Sequence, residues 1–163
     1  MITSQKGAGL IEVLVALLLL SIAVLGFVAL QIRAVAASTE AGQNIQATNI
    51  ARDLAERMRV NRTGLSKYGD IGSTEILTDC STTSCDADQM AKYDYAKVKQ
   101  RATDLGMSLA MLDCQGSTLT RQCIYVAWGG TTATNGSGGS NCTNGTAYVP
   151  DAKCIIMEVY NHD

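Results

Sequence analysis

The sequence predicts an α+β protein: a long N-terminal helix packed on a small antiparallel β-sheet, within a disulfide-stapled head. Three observations predict it. Residues 13–30 carry no charge. Residues 31–62 continue without a proline in an amphipathic, helix-favouring pattern. All six cysteines, Cys80, Cys85, Cys114, Cys123, Cys142 and Cys154, fall in the second half of the chain, among short apolar segments that read as strands.

The uncharged run would be about 27 Å long as a helix, close to the thickness of the hydrocarbon layer of a bilayer. It is longer than the apolar core of an ordinary secretory signal, and no small-residue cleavage site follows it. Beyond it, Ile50, Leu54 and Met58 recur every fourth residue with Ala47, Ala51 and Ala55 beside them, giving one apolar stripe. Asp53 and Arg57 form an acid-before-base pair at i,i+4, and Arg57, Arg59 and Arg62 crowd the C-terminal turn, where the helix dipole favours cations. One helix over about residues 8–61 follows, with Gly26 and Gly42 as its only soft points.

Residues 61–84 read as irregular, punctuated by Gly64, Gly69 and Gly72. A second helix is expected over residues 86–105, with Met90, Tyr93 or Asp94, Val98, Ala102 and Leu105 as its stripe and Gly106 as its stop. Strands are expected at 108–113 and 122–128, joined by the turn Gln115-Gly116-Ser117-Thr118, and a third at 153–160. The Gly-, Ser-, Thr- and Asn-rich stretch between 128 and 153 is too polar to bury and predicts a mobile surface loop.

An even number of cysteines in a small, exported-looking segment points to disulfides formed in an oxidising compartment. Pairing neighbours gives Cys80–Cys85, Cys114–Cys123 across the hairpin and Cys142–Cys154, one of the fifteen connectivities that six cysteines allow. Zinc competes poorly, since no CxxC knuckle is present and His162 is the only histidine. A net charge of −2 with no long block of one sign removes the simple electrostatic case for nucleic-acid binding. No Gly-rich phosphate loop, triad histidine or apolar carboxylate pair is found, so no enzyme and no cofactor is expected. The sequons at Asn61, Asn135, Asn141 and Asn144 read as chance occurrences in a Thr- and Ser-rich chain.

Glu12 is what a plain membrane anchor leaves unexplained. A carboxylate near the start of a membrane helix costs about 1–3 kcal/mol unless it is paired or reaches the interface. Cleavage after Gly7 would create an ammonium on Ala8, about 6 Å along the helix axis from Glu12. The carboxylate is then placed to meet such an ammonium on a neighbouring subunit. Lys6-Gly7 followed by Ala8-Gly9-Leu10-Ile11-Glu12-Val13-Leu14-Val15-Ala16-Leu17 resembles the leader motif of type IV pilins and pseudopilins. The resemblance implies a 1–7 leader cut after Gly7 by a prepilin peptidase, N-methylation of Ala8, and Glu12 as the assembly glutamate. The departure is Ala8, where the family more often has Phe.

It further implies an 8–30 transmembrane and assembly segment, a 31–62 amphipathic half of the same helix, and a 63–163 periplasmic or extracellular head. Residues 8–62 are most similar to PilV-like minor pilins. That similarity implies priming of pilus assembly with other minor pilins and the major pilin, first in the inner membrane and then at the cell surface near the tip. Two other classes stay open. One is a minor pseudopilin of a type II secretion system, sharing Leu10-Ile11-Glu12-Val13-Leu14. The other is an adhesin or DNA-binding module gripping a surface, sugar or DNA, with Tyr125, Trp128 and the 129–152 stretch as its candidate face.

Overall fold

A computed structural model describes residues 9–72, 75–116 and 121–159. Helix α1 is Leu10–Val60, and a 3-10 helix follows at Arg62–Lys67. Next come α2 (Ala87–Asp104), β1 (Met107–Asp113), β2 (Gln122–Trp128), β3 (Thr132–Asn135), β4 (Asn141–Asn144), β5 (Ala147–Tyr148) and β6 (Cys154–Val159). The chain forms two units, Met1–Gly42 and Gln43–Asp163.

In the first unit the helix presents apolar side chains outward all round. Its most apolar window, of mean hydropathy 3.0, is long enough to cross a membrane and has no buried residue. Ser21 donates its hydroxyl to the Leu17 carbonyl at 2.8 Å, so the one polar group inside the run is satisfied within its own helix.

In the second unit, Ala47, Ile50, Ala51, Leu54, Ala55 and Met58 are all buried, as the stripe predicts. They pack with Ala91, Tyr95, Val98 and Ala102 of α2 and with one face of the first sheet. That sheet is antiparallel in the order β1–β2–β6, with Met107 opposite Trp128 and Ala127 opposite Cys154. Strand periodicity divides it cleanly. Met107, Leu109, Ile124, Val126, Trp128 and Val159 face the helices, while Cys123, Tyr125 and Ala127 face the other way. Six consecutive residues of β2 are buried, which is why it reads as one continuous apolar run.

The opposite face of β2 is covered by a second sheet, which corrects the expectation of a mobile loop over 129–152. There β3 pairs parallel with β4, and β4 antiparallel with β5. Ala133, Cys142 and Thr143 are buried despite the polar composition. Side-chain hydrogen bonds make this possible: the Thr134 hydroxyl donates to Asn141 Oδ1 at 2.6 Å, and the Ala133 amide donates to Ser108 Oγ of β1 at 3.0 Å.

Three local expectations also shift. The irregular stretch after α1 contains the 3-10 helix. Helix α2 buries Asp94, Val98 and Ala102 of the expected stripe together with Ala91 and Tyr95, while at the ends of the stripe Met90 is half-buried and Leu105 is exposed. Strand β6 begins at Cys154, and Tyr160, placed at the end of the third strand, lies outside the described residues. Helix α2 opens with a capping box in which Asp86 accepts from the Gln89 amide and Gln89 accepts from the Asp86 amide. It stops at Gly106, whose φ of 71° favours glycine.

Candidate functional site

The N-terminal candidates divide at the edge of the described residues. Gly7 and Ala8, the expected cleavage and methylation positions, lie outside them, as does His162. Glu12 lies in the first turn of α1, where its amide donates to the Gly9 carbonyl at 2.8 Å. A carboxylate there complements the helix dipole, which is the local reason for an acid at this place. Glu12 is exposed and makes no ion pair with a described residue. Around it, Leu10, Ile11, Val13, Leu14 and Val15 are all at least half exposed.

In the second unit, a chain of charges joins the end of α1 to α2. The Arg57 guanidinium donates to Asp53 at 2.9 Å and to Asp94 at 2.6 Å, and Arg101 reaches Asp53 at 2.9 Å. Asp94 is only 8% exposed and also accepts from the Tyr68 hydroxyl at 3.3 Å. Burial works against the charge on Arg57, but the hydrogen bonds it donates to Asp53 and Asp94, with the charges of both, outweigh it and raise its pKa. The Arg57-Arg59-Arg62 cluster is therefore more than a response to the helix dipole. Arg57 neutralises a buried carboxylate contributed by another helix, and Arg59 pairs with Glu56.

Asn61 closes the corner beside this chain. Its amide nitrogen donates to the Ala87 carbonyl at 2.7 Å, and its oxygen accepts from the Gly64 amide. A Cβ at position 64 would lie 2.3 Å from the Ala87 carbonyl oxygen, so only glycine fits there. A cleft of about 420 Å³ is lined by Asp53, Glu56, Arg57, Val60, Asn61, Met90 and Asp94. Each of its three carboxylates is paired with an arginine, so the cleft presents a neutralised surface with no free acid or base.

The sequence model of a family described as Tt1218-like, type IV pilin Tt1218, matches residues 29–96. Over that stretch the chain is similar to type IV pilins. No curated protein and no solved structure matches it. The matched stretch takes in Asp53, Arg57, Tyr68 and Asp94, and stops before the sheets.

Tyr125 and Trp128, offered by the sequence as a binding face, are corrected by the structure. They are 1% and 3% exposed. Trp128 packs in the core against the helices, and Tyr125 is sealed beneath the second sheet. Both are strand residues on opposite faces of β2, and the covering of each face is a long-range outcome. Among the described residues of the two sheets, Tyr148 on β5 is the exposed aromatic. The six cysteines join as Cys80–Cys85, Cys114–Cys123 and Cys142–Cys154. The first closes a loop just before α2, the second spans the β1–β2 turn, and the third links β4 to β6 and so binds the two sheets together.

Tyr68 supplies a pH prediction. Burial, reinforced by the Asp94 charge, pushes its pKa up from 10.0 to about 12. The folded chain thus holds this proton more tightly than the unfolded chain does. Its contribution to stability is complete below pH 10 and is lost as pH rises towards 12. Denaturant midpoints for the chain are expected to hold near neutrality and fall across that alkaline window. Tyr68→Phe should flatten the fall by up to about 2–3 kcal/mol, while losing about 1 kcal/mol at neutral pH with its hydrogen bond. Burial raises Tyr95 and Tyr148 as well, so a shallower decline should persist in the variant. An unchanged alkaline slope in Tyr68→Phe would remove Tyr68 from this role.

Proposed function

We propose that this chain is a minor pilin of a type IV pilus, anchored by α1 in the inner membrane before assembly and then incorporated with other pilins near the tip, where it primes fibre growth. A prepilin peptidase cuts after Gly7 and methylates Ala8, and Glu12 neutralises the terminal ammonium of a neighbouring subunit. The observation that carries this reading is the outward apolar surface of α1, interrupted near its start by the single carboxylate of Glu12. Fifteen large apolar side chains between Leu10 and Leu30 are exposed. Burying each is worth about 1.5–3 kcal/mol, so their exposure to water forgoes some tens of kcal/mol, more than the whole stability of a domain. The helix needs a bilayer or a bundle of similar helices. Glu12 suits the second environment, where a cation on a neighbour offsets its desolvation. The family match supports a pilin-type protein, and the PilV-like character of residues 8–62 supports a minor subunit.

Gold labelling of sheared pili tests the reading. Sparse label at fibre ends is expected. Label along whole shafts would make the chain a bulk subunit, and its absence from pili together with a secretion defect would favour the pseudopilin reading. Release of the head from cells, still able to bind a surface or DNA, would favour the binding module.

A further inference from the structure

The second sheet carries both Asn-Gly pairs in the sequence, Asn135-Gly136 and Asn144-Gly145. Asn-Gly is the pair most prone to spontaneous deamidation, because glycine leaves the following amide nitrogen unhindered. That nitrogen, after losing its proton to solvent base, attacks the asparagine Cγ. The new C–N bond expels the side-chain nitrogen as ammonia, and water then opens the cyclic imide at either carbonyl to give aspartate or isoaspartate. No oxidant, reductant or cofactor takes part. The rate therefore depends on how freely the side-chain amide and the next backbone nitrogen can meet.

The two pairs differ in this respect. At Asn135 both reacting groups are held. The Gly136 amide donates to the Thr143 backbone carbonyl at 2.9 Å, and Asn135 Oδ1 accepts from the Thr143 hydroxyl at 3.1 Å and from the Gly145 amide at 2.9 Å. Thr143 is itself 3% exposed, which fixes that arrangement from beneath. At Asn144 the side-chain amide is exposed and makes no hydrogen bond with a described residue. Only its nucleophile is restrained, and the restraint is the Asn135 side chain.

We propose that Asn144 is the site of spontaneous deamidation in the folded head, and that the Asn135 carbonyl sets its rate by holding the Gly145 amide. Each event places one new negative charge on the Thr- and Asn-rich sheet. The test is peptide mapping by mass spectrometry of the full chain in detergent, incubated at mildly alkaline pH, scoring aspartate and isoaspartate at both positions. Asn144 should convert severalfold faster than Asn135. Asn135→Ala should accelerate conversion at Asn144 severalfold further, whereas Asn135→Asp, which keeps an acceptor for the Gly145 amide, should not. Should melting show that Asn135→Ala is unfolded, Thr143→Val takes its place: it removes the hydroxyl that steadies Asn135, keeps the carbonyl that holds Gly136, and should accelerate Asn144. In the reduced, denatured chain the two pairs should convert at similar rates. Faster conversion at Asn135 in the folded chain, no acceleration in the folded variants, or the same preference for Asn144 after denaturation would each overturn the proposal.

Discussion

Glu12→Ala is expected to yield a chain still processed at Ala8 but nearly absent from sheared pili. In the proposed reading the cut falls after Gly7, so removal of a carboxylate at position 12 should spare cleavage. Assembly is different. With helices side by side, an ammonium on Ala8 of one subunit would face an apolar surface once its counter-charge is gone. Leaving one partner of a desolvated pair uncompensated costs about 3–5 kcal/mol. That corresponds to a fall in incorporation of about a hundredfold or more at equilibrium. Glu12→Gln should fail in the same way, since it keeps a hydrogen-bond acceptor but not the charge. Mass spectrometry of the membrane-held chain establishes the N-terminus, and immunoblots of membrane and sheared-fibre fractions establish incorporation. An intact Met1 terminus in peptidase-competent cells would sink the leader reading; normal incorporation of Glu12→Ala would sink the pairing.

The second large effect is expected at Cys142–Cys154. This disulfide joins β4 to β6, and Cys142 is fully buried among Cys123, Tyr125, Ala127 and Ala133. Besides the backbone connections at 129–131 and 149–153, this disulfide is the covalent tie between the second sheet and the first among the described residues. Replacing both cysteines with alanine should cost about 3–5 kcal/mol, from the lost cross-link together with the buried space left behind. For a head of this size that is a fall in Tm of about 10–20 °C. The same double replacement at Cys80 and Cys85 should cost about 2 kcal/mol or less. That bridge closes a short loop, its cysteines are half-exposed, and neither belongs to a buried cluster. Differential scanning calorimetry of both variants in detergent checks the order. Equal losses would mean that the second sheet stays in place without its clip.

The stripe Ala47 to Met58 was legible through its 3.6-residue period, and strands β1, β2 and β6 as short apolar runs bounded by polar turn residues. The second sheet was not. Its strands are two to four residues long, polar, and partly parallel, and their pairing is carried by Thr and Asn side chains that composition alone assigns to loops. Asp94 was likewise ambiguous. It occupies a core position of α2 only because Arg57, thirty-seven residues earlier, arrives beside it.

By itself, then, the sequence determined the class of this protein. An uncharged run long enough to span a bilayer, a lone Glu12 near its start and six clustered cysteines are properties of covalent order, and no packing is needed to read them. Only the tertiary structure decided which surfaces of the head remain available. It laid a polar sheet over β2, turned Tyr125 and Trp128 inward, left Tyr148 outside, and neutralised Asp94 with a distant arginine. The physical reason is that burial belongs to pairs of surfaces, and the partner of each surface is set by contacts between residues far apart in the chain.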